Sequence, residues 1–253
     1  MDIEDKYGMK DIHLSLLQML DKFLTLCQQN GIVFSMGFGS MLGAIRHKGF
    51  IPWDDDIDII IDRENFKILS SLINTSTDFE LVKNVKKSLW IPRIKKRGLP
   101  DEGLGYEPMI DLFLVDHLPD SPILAKMKKM AVLFVQGMIK GRPHHYKGSV
   151  FLKIASFVSY LVGLLFPMRI KYELLERLST ISNCKETKSC STYNVEYLYV
   201  GRKYVSRLLK DIIMVGFEGR MVPVSKHYDS YLTELYGDYM IPPKENERVP
   251  KHQ

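Results

Sequence analysis

Four aspartates stand at the start of a branched apolar segment, and this feature limits most strongly what the chain can fold into. Asp54, Asp55 and Asp56 precede Ile57–Ile61, and Asp58 lies inside that segment. A branched apolar segment of this kind favours a buried β-strand. Because side chains alternate between the two faces of a strand, Asp56 and Asp58 are predicted to share one face, one pleat apart.

The pair Asp56 and Asp58 has two interpretations. Two carboxylates held this close repel each other unless a cation lies between them, and a hard divalent cation binds carboxylate oxygens while keeping positions for water and phosphate. The alternative is a solvated acidic turn before an ordinary strand. We favour a metal site because the carboxylates stand at the mouth of a buried strand.

A glycine-rich turn precedes this strand. Ile32–Ser35 predicts a short strand, Gly37–Ser40 a break, and Met41–Arg46 a short helix with Ser40 near its N-cap. Glycine lets the backbone approach a ligand, and a helix N-terminus presents amides to phosphate. Alone, such a turn is equally an ordinary tight turn. Followed at short range by Asp-x-Asp, it predicts a phosphate-binding turn opposite a metal site.

Together, the turn and the carboxylates resemble a known pattern. Gly39-Ser40 followed by Asp56-Ile57-Asp58 is similar to the nucleotidyltransferase-fold signature of a Gly-Ser turn and Asp-x-Asp. The whole segment from Gly39 to Asp58 resembles the LicD family, which comprises the bacterial phosphocholine transferases and their relatives, with fukutin-related proteins as distant eukaryotic cousins. Tyr228–Pro243 resembles the C-terminal motif of that family, so the resemblance covers most of the chain.

This resemblance implies the fold class and the domain organisation. We expect an α/β (α+β) fold: a nucleotidyltransferase-fold mixed sheet flanked by helices, with a helical insertion in the middle third. Residues 1–253 would form a single LicD-like catalytic domain. Within it we expect a nucleotidyltransferase core over 30–118, a helical insertion over 120–195, and the C-terminal family motif over 196–253.

Hydrophobic periodicity and turn residues predict further elements along the chain. Helices are predicted over Ile12–Cys27, Asn65–Ile73, Ile123–Ile139, Phe151–Phe166 and Ser225–Tyr236, the last with Ser225 as N-cap. Strands are predicted over Phe79–Val85 and Leu89–Ile94, and a hairpin arm over Phe217–Val224.

Asp111 is the third candidate carboxylate. It lies in the apolar segment Met109–Val115, where a lone carboxylate is costly unless it is paired or bound to a metal. Nucleotidyltransferase folds carry a third carboxylate on a later strand, and the LicD family has a similar segment here. The resemblance therefore implies that Asp111 is a metal ligand or a general base. Asp116 is better explained as a cap for the turn at Pro119–Pro122.

The resemblance also implies a reaction. Members of the family transfer a phospho-alcohol, typically phosphocholine from CDP-choline, to a sugar hydroxyl and release CMP. The acceptor would be a cell-surface glycan or its lipid-linked precursor. Mg²⁺ (or Mn²⁺) would be held by Asp56, Asp58 and Asp111.

The substrate-binding residues implied by the resemblance lie in the turn and the loop after it. Gly39 and Ser40 would hold phosphate oxygens, while Arg46, His47 or Lys48 would neutralise charge on the leaving CMP. The complete substrate-binding set is Gly39, Ser40, Arg46, His47, Lys48, Trp53 and Asp55.

Two further groups of side chains each have two possible interpretations. Trp53 or Phe50 would stack on a base or hold a quaternary ammonium by cation–π attraction, and packing beneath the loop is an equal alternative. The basic run from Arg93 to Arg97 either reaches the pyrophosphate of a nucleotide or forms a solvated sheet edge.

Three other function classes compete with the transferase. A metal-dependent glycosyltransferase also uses Asp-x-Asp, but it does not need the preceding Gly-Ser turn. A nucleotidyltransferase proper would attack the α-phosphorus and leave a nucleotide on the acceptor. A non-catalytic binding member would be expected to have lost a carboxylate, whereas Asp56, Asp58 and Asp111 are all present.

Composition limits the classes of molecule that the protein is expected to bind and the cellular compartment in which it is expected to occur. The net charge of +5 suits anionic substrates, and we find no basic–aromatic stripe that indicates nucleic acid. Three cysteines indicate a reducing compartment without a disulfide framework, and the acidic N-terminus predicts no signal peptide, so we expect a cytoplasmic protein. Residues 123–166 predict either a helical subdomain packed on the sheet or a peripheral contact with the inner face of the cytoplasmic membrane.

Overall fold

The computed structural model describes residues 6–82, 91–98, 108–141 and 150–248, apart from the side chain of residue 151. Along the chain the elements are α1 (Lys10–Gln29), β1 (Phe34–Met36), α2 (Phe38–Leu42), a π-helical turn (Gly43–His47), β2 (Ile57–Asp62), α3 (Arg63–Thr75), β3 (Phe79–Val82), β4 (Arg93–Lys96), β5 (Met109–Leu118), α4 (Pro122–Ile139), α5 (Val150–Leu164), α6 (Met168–Thr180), β6 (Ser189–Thr192), β7 (Tyr204–Val205), β8 (Ile212–Phe217), β9 (Arg220–Ser225), α7 (Tyr228–Tyr236) and a 3₁₀ turn (Glu245–Glu247). This mixed sheet with flanking helices confirms the α/β (α+β) class.

The chain divides into two compact units. The first comprises Met1–Val82, Pro92–Leu114 and Arg207–Gln253, and the second comprises Lys83–Ile91 and Val115–Ser206. The first unit therefore joins segments from both ends of the chain.

The first unit is built on strands in the order β1-β2-β5-β4-β3. Strand β2 lies between β1 and β5, and its residues Ile57, Ile59, Ile60 and Ile61 have no exposed surface, so the strand is buried on both faces, as its branched composition predicts. Neighbouring pairs are antiparallel between β1 and β2 and between β4 and β5. The second register places Arg93 directly opposite Asp111.

Element ends differ from the sequence predictions where a side chain fixes the boundary. Helix α3 begins at Arg63 rather than Asn65, because the Asp62 carboxylate accepts the backbone N–H of Asn65 at 2.8 Å and caps the helix. Helix α7 begins at Tyr228, so Ser225 is not its N-cap. Ser225 instead ends β9, where its amide donates to the Ser35 hydroxyl at 2.9 Å.

The predicted hairpin arm is confirmed as β9, which forms a hairpin with β8. Its two-residue turn, Glu218-Gly219, has φ angles of +49° and +73°, which matches the right-handed twist of the flanking strands. The strands expected over Phe79–Val85 and Leu89–Ile94 are seen as β3 and β4, while residues 83–90 lie outside the described residues.

In the second unit, α4 packs against α5 and α6, and β6 pairs antiparallel with the end of β5. Helices α4 and α5 confirm two predicted helices, whereas α6 was not expected. Asp116 is a correction: it lies within β5 and is 1% exposed, and its carboxylate accepts the Asn183 amide at 2.6 Å. Asp116 therefore lies inside the strand rather than at its end.

Among the residues that the structure describes, no helix combines the length and the apolar character needed to cross a bilayer.

Candidate active site

Three hydrogen bonds, each donated by a backbone N–H, join the glycine turn to Asp58. The Gly39 N–H donates to Asp58 Oδ2 at 2.8 Å, the Asp58 N–H donates to Ser40 Oγ at 2.8 Å, and the Gly37 N–H donates to the Asp58 carbonyl at 2.8 Å. These bonds hold the turn against the start of β2.

Ser40 is not the N-cap that the sequence predicts. Helix α2 begins at Phe38 with Gly37 in the cap position, and Ser40 lies inside the helix. The reason is the partner of its hydroxyl: Ser40 Oγ accepts a backbone amide of β2 rather than an amide of its own helix. Ser40 is 3% exposed, so this contact is fully enclosed.

Gly39 lies so close to two carboxylates that a larger residue would displace the Asp54 side chain. A Cβ atom built there would stand 2.5 Å from Asp54 Oδ2 and 3.3 Å from Asp58 Oδ2. In the structure the groups that approach this glycine are the protein's own carboxylates, and the approach of a phosphate to the turn stays a prediction.

The acidic loop before β2 draws three carboxylates together. One carboxylate oxygen each from Asp54, Asp55 and Asp56 lie within 4.8 Å of one another. Asp55 is 8% exposed, and the other two are half-buried. Since the three donors are all carboxylate oxygens, the group suits a hard divalent cation such as Mg²⁺ or Mn²⁺.

His13 supports this loop, although sequence analysis gave it no role. Its Nε2 lies 2.7 Å from the Asp54 carbonyl oxygen, and because a carbonyl only accepts, that nitrogen carries the proton. The His13 ring stacks on Phe50 with a centroid distance of 4.2 Å. Only the fold brings α1 to the loop, and periodicity carries no signal for such a contact.

The three predicted metal ligands, Asp56, Asp58 and Asp111, have different surroundings in the structure. Asp56 is in the carboxylate group and stands just before β2, while Asp58 is the second residue of β2 and accepts the Gly39 amide. Asp111, on β5, forms an ion pair with Arg93. Among the described residues, the group drawn together around Asp56 contains Asp54 and Asp55 rather than Asp58 and Asp111. The ligand set Asp56, Asp58 and Asp111 stays a prediction.

The ion pair of Asp111 is buried. Arg93 Nη2 donates to Asp111 Oδ2 at 2.9 Å, and Arg93 Nε lies 2.7 Å from Oδ1 in an electrostatic contact without good hydrogen-bond alignment. The side chains are 13% and 5% exposed. Lys95, on the same strand, is 3% exposed and pairs with Glu80 at 3.1 Å. Neither basic residue belongs to a solvated edge.

The predicted cationic residues follow α2. Arg46 Nη1 donates to the Tyr239 carbonyl at 2.6 Å, and Arg46 Nε donates to His47 Nε2 at 3.0 Å. Burial lowers the pKa of His47, and the nearby cations Arg46 and Arg248 lower that pKa further, so His47 accepts this bond as a neutral ring. Burial also lowers the pKa of Arg46. Lys48 is exposed and has a left-handed backbone with φ of +60°.

The two candidate aromatic residues have different surroundings. Phe50 is 7% exposed and is enclosed by the stacked His13 ring and by Phe217, whose ring centroid lies 4.9 Å away. Phe50 is thus a packing residue. Trp53 is half-buried, with the Arg248 guanidinium 5.6 Å from its ring centroid and Tyr7 against its edge. The structure thus places a cation beside Trp53 already.

The C-terminal motif belongs to the same unit as the turn. The Phe38 ring lies 4.3 Å from Phe113 and 5.9 Å from Tyr231 of α7. The Tyr239 hydroxyl donates to Asp229 Oδ1 at 2.7 Å, and burial together with this bond raises the Tyr239 pKa to about 12. The two motif blocks, which are far apart in sequence, therefore build one compact unit.

A Gly-Ser turn bound to an aspartate at the start of a central strand, beside further carboxylates, is typical of a nucleotidyltransferase-type domain. Residues 31–97 match the family model described as LicD/FKTN/FKRP, nucleotidyltransferase domain. Over 269 aligned residues the chain is 27% identical to the lipopolysaccharide cholinephosphotransferase LicD of Haemophilus influenzae, covering 98% of this chain and 97% of that protein. These two matches confirm the resemblance to the LicD family.

Shorter similarities link the chain to two uncharacterized proteins. It is 44% identical over 52 residues to one protein of Rickettsia prowazekii and to one of Rickettsia typhi. These matches cover 21% of this chain and 20% and 17% of the two Rickettsia proteins, so they concern one segment only.

Proposed function

We propose that the chain is a LicD-type phosphotransferase that moves a phospho-alcohol, phosphocholine first among them, from a CDP-alcohol to a hydroxyl of a cell-surface glycan or its lipid-linked precursor. Similarity to the Haemophilus cholinephosphotransferase over nearly the whole chain supports the reaction type. The observation that carries the proposal is the Gly39–Asp58 contact beside the Asp54–Asp56 carboxylates.

The reaction exchanges one phosphorus–oxygen bond for another. The acceptor oxygen attacks the phosphorus that carries choline, the bond from that phosphorus to the bridging oxygen breaks, and CMP leaves with the bridging oxygen. The acceptor proton passes to a carboxylate, for which Asp111 is the predicted candidate. Such a transfer depends on positioning and charge neutralisation more than on covalent chemistry.

The chain's own residues would share these tasks. The Gly39–Ser40 turn fixes Asp58, the half-buried guanidinium of Arg46 and the exposed ammonium of Lys48 supply positive charge for the departing CMP, and neutral His47 orients Arg46. Asp54, Asp55 and Asp56, together with Asp58, would hold Mg²⁺ or Mn²⁺, which when bound neutralises charge on the diphosphate.

We place this reaction in the cytoplasm. The three cysteines Cys27, Cys184 and Cys190 are all free thiols, which suits a reducing compartment.

The variant Asp58→Asn tests whether the Asp58 carboxylate is required for the reaction. The amide can still accept the Gly39 N–H, so the fold should persist, but the loss of charge should reduce CMP release by at least about 100-fold. Turnover is measured by mass spectrometry with purified protein, Mg²⁺, CDP-choline and a glycan acceptor.

Asp238→Asn is the matched control, since Asp238 is an exposed aspartate of the same unit. It should retain full turnover, and both variants should unfold at the temperature of the wild type. Wild-type turnover in Asp58→Asn would refute the role of Asp58.

A further inference from the structure

Helix α5 presents its large apolar side chains to solvent. Ile154, Phe157, Leu161 and Leu164 are 58%, 51%, 45% and 63% exposed. Their spacing of three, four and three residues places them on one face of the helix. A helix that packs against the core of a protein in water would instead bury this face.

The opposite face of α5 buries small residues. Ser156 and Ser159 are 9% and 2% exposed. A Cβ atom at Gly163 would stand 2.6 Å from the Met138 carbonyl oxygen, and one at Gly137 would stand 2.2 Å from Ser159 Oγ. The backbones of α4 and α5 thus approach closely through small residues, which is the packing used by helices whose outer surface faces lipid.

The neighbouring helices extend this exposed surface, which we name the apolar face. On α4 it includes residues at helical spacing, and α6 contributes a shorter row. Its members on the three helices are Ile123, Leu124, Met127, Met130, Phe134, Ile154, Phe157, Val158, Leu161, Leu164, Met168, Ile170 and Leu174, each at least 37% exposed. Exposed apolar surface of this extent marks an interaction site.

The charge of this part of the chain identifies the partner. Between Asp120 and Glu173, a range that includes all of α4 and α5, the sequence contains no aspartate or glutamate and nine lysines and arginines: Lys126, Lys128, Lys129, Lys140, Arg142, Lys147, Lys153, Arg169 and Lys171. Lys128 and Lys171 are buried and donate to backbone carbonyls, and α6 carries the exposed Glu173 and Glu176, so the cationic character belongs to α4 and α5. Lys126 and Lys153 are exposed on α4 and α5 themselves. A second copy docked on the same face would bring like charges together, whereas an anionic lipid surface complements both the apolar and the cationic groups.

We propose that the apolar face docks on an anionic lipid bilayer, with α4 and α5 lying in the interface and the exposed Lys126 and Lys153 contacting acidic headgroups. This contact rests on the proposed function in one respect: it would bring the enzyme to an acceptor carried on a lipid. The contact itself requires neither donor nor acceptor.

The test is sedimentation of the full-length protein with vesicles in the absence of substrate. Wild-type protein should bind vesicles that contain phosphatidylglycerol more tightly than vesicles of phosphatidylcholine alone, and added salt should weaken this binding. The double variant Phe157→Gln with Leu161→Gln should bind at least about tenfold more weakly. Lys126→Gln should lower binding to the anionic vesicles about fivefold.

A matched control replaces exposed apolar residues elsewhere. Met214→Gln with Met221→Gln alters two side chains of β8 and β9 that are 53% and 56% exposed, and it should bind vesicles like the wild type. Equal binding of the Phe157/Leu161 variant, or no binding of the wild type, would overturn the proposal. So would a wild-type dimer that the Phe157/Leu161 variant dissociates, because the face would then cover a second copy.

The two proposals fail separately. The Phe157/Leu161 variant should release CMP at the wild-type rate with a soluble glycan acceptor, since neither residue belongs to the proposed site. Vesicle binding without any CMP release would leave the membrane contact standing and remove the function, and the reverse result would remove only the membrane contact.

Discussion

At Gly39 the backbone lies against two carboxylates of the candidate site. Gly39→Ala would place a methyl group 2.5 Å from Asp54 Oδ2 and 3.3 Å from Asp58 Oδ2, so the Asp54 side chain must shift. We expect a loss of about 1–3 kcal/mol in the free energy of unfolding. Because small displacements of catalytic groups are costly, we expect at least about a tenfold fall in turnover. Urea denaturation and CMP release measure the two effects.

Gly216 offers a matched control for that substitution. It lies in β8, and a Cβ atom there would meet no atom within 4 Å. Gly216→Ala should therefore keep wild-type turnover and stability. Equal behaviour of the Gly39 and Gly216 variants would show that the close approach at Gly39 has no role in the site.

His47 predicts a pH dependence of stability. Its pKa in the folded protein lies below the ordinary value of 6.5 because of burial and of the cations Arg46 and Arg248. The unfolded chain therefore binds a proton more readily, so the contribution of His47 to stability is present above pH 6.5 and is lost as the pH falls toward the folded pKa.

His47→Gln removes this titration. Between roughly pH 7.5 and pH 5.5 the melting temperature of the variant should fall less than that of the wild type. Thermal unfolding followed by circular dichroism gives both curves. Parallel curves would contradict a depressed pKa of His47.

At the scale of elements, the pairing of β4 with β5 carries a buried ion pair. Arg93→Met would remove the cation that pairs with the buried Asp111 carboxylate and should cost about 3 kcal/mol in the free energy of unfolding. Adding Asp111→Asn should recover part of that loss, because the buried negative charge is removed. Urea denaturation of the two single variants and the double variant measures the coupling.

The same variants separate two roles of Asp111. If Asp111 is a metal ligand or general base, Asp111→Asn should lose turnover while Arg93→Met, although less stable, retains it. If Asp111→Asn and Arg93→Met both retain turnover, Asp111 has a structural role alone. Unchanged stability of Arg93→Met would contradict the ion pair itself.

Elements with a strong local signal were predictable from the sequence. The branched residues of β2, the periodic helices α1, α4 and α5, and the β8–β9 hairpin each carry their own pattern. The predictions were wrong where a residue distant in sequence determines the hydrogen-bond partner. Ser40 and Ser225 were predicted to cap helices, but the Ser40 hydroxyl bonds to β2 and the Ser225 amide bonds to Ser35. Local propensity contains no information about such partners.

At the scale of the whole molecule, the site depends on contacts between residues far apart in sequence. The resemblance supplied Gly39, Asp56 and Asp58, but only the fold shows that His13 supports the Asp54 carbonyl and that Arg46 bonds to Tyr239. The second unit shows the opposite case: composition revealed its cationic, apolar helices, but only side-chain exposure shows that α5 turns its apolar residues outward.

The central claim is that this chain transfers a phospho-alcohol and releases CMP. Purified protein with Mg²⁺ and glycan acceptors should be offered a panel of CDP-alcohols and nucleotide sugars, with mass spectrometry of all products. We expect CMP together with an acceptor that has gained the phospho-alcohol, with CDP-choline as the best donor. Release of UDP from a UDP-sugar would contradict this account in favour of a glycosyltransferase, and an acceptor carrying a nucleotide would contradict it in favour of a nucleotidyltransferase.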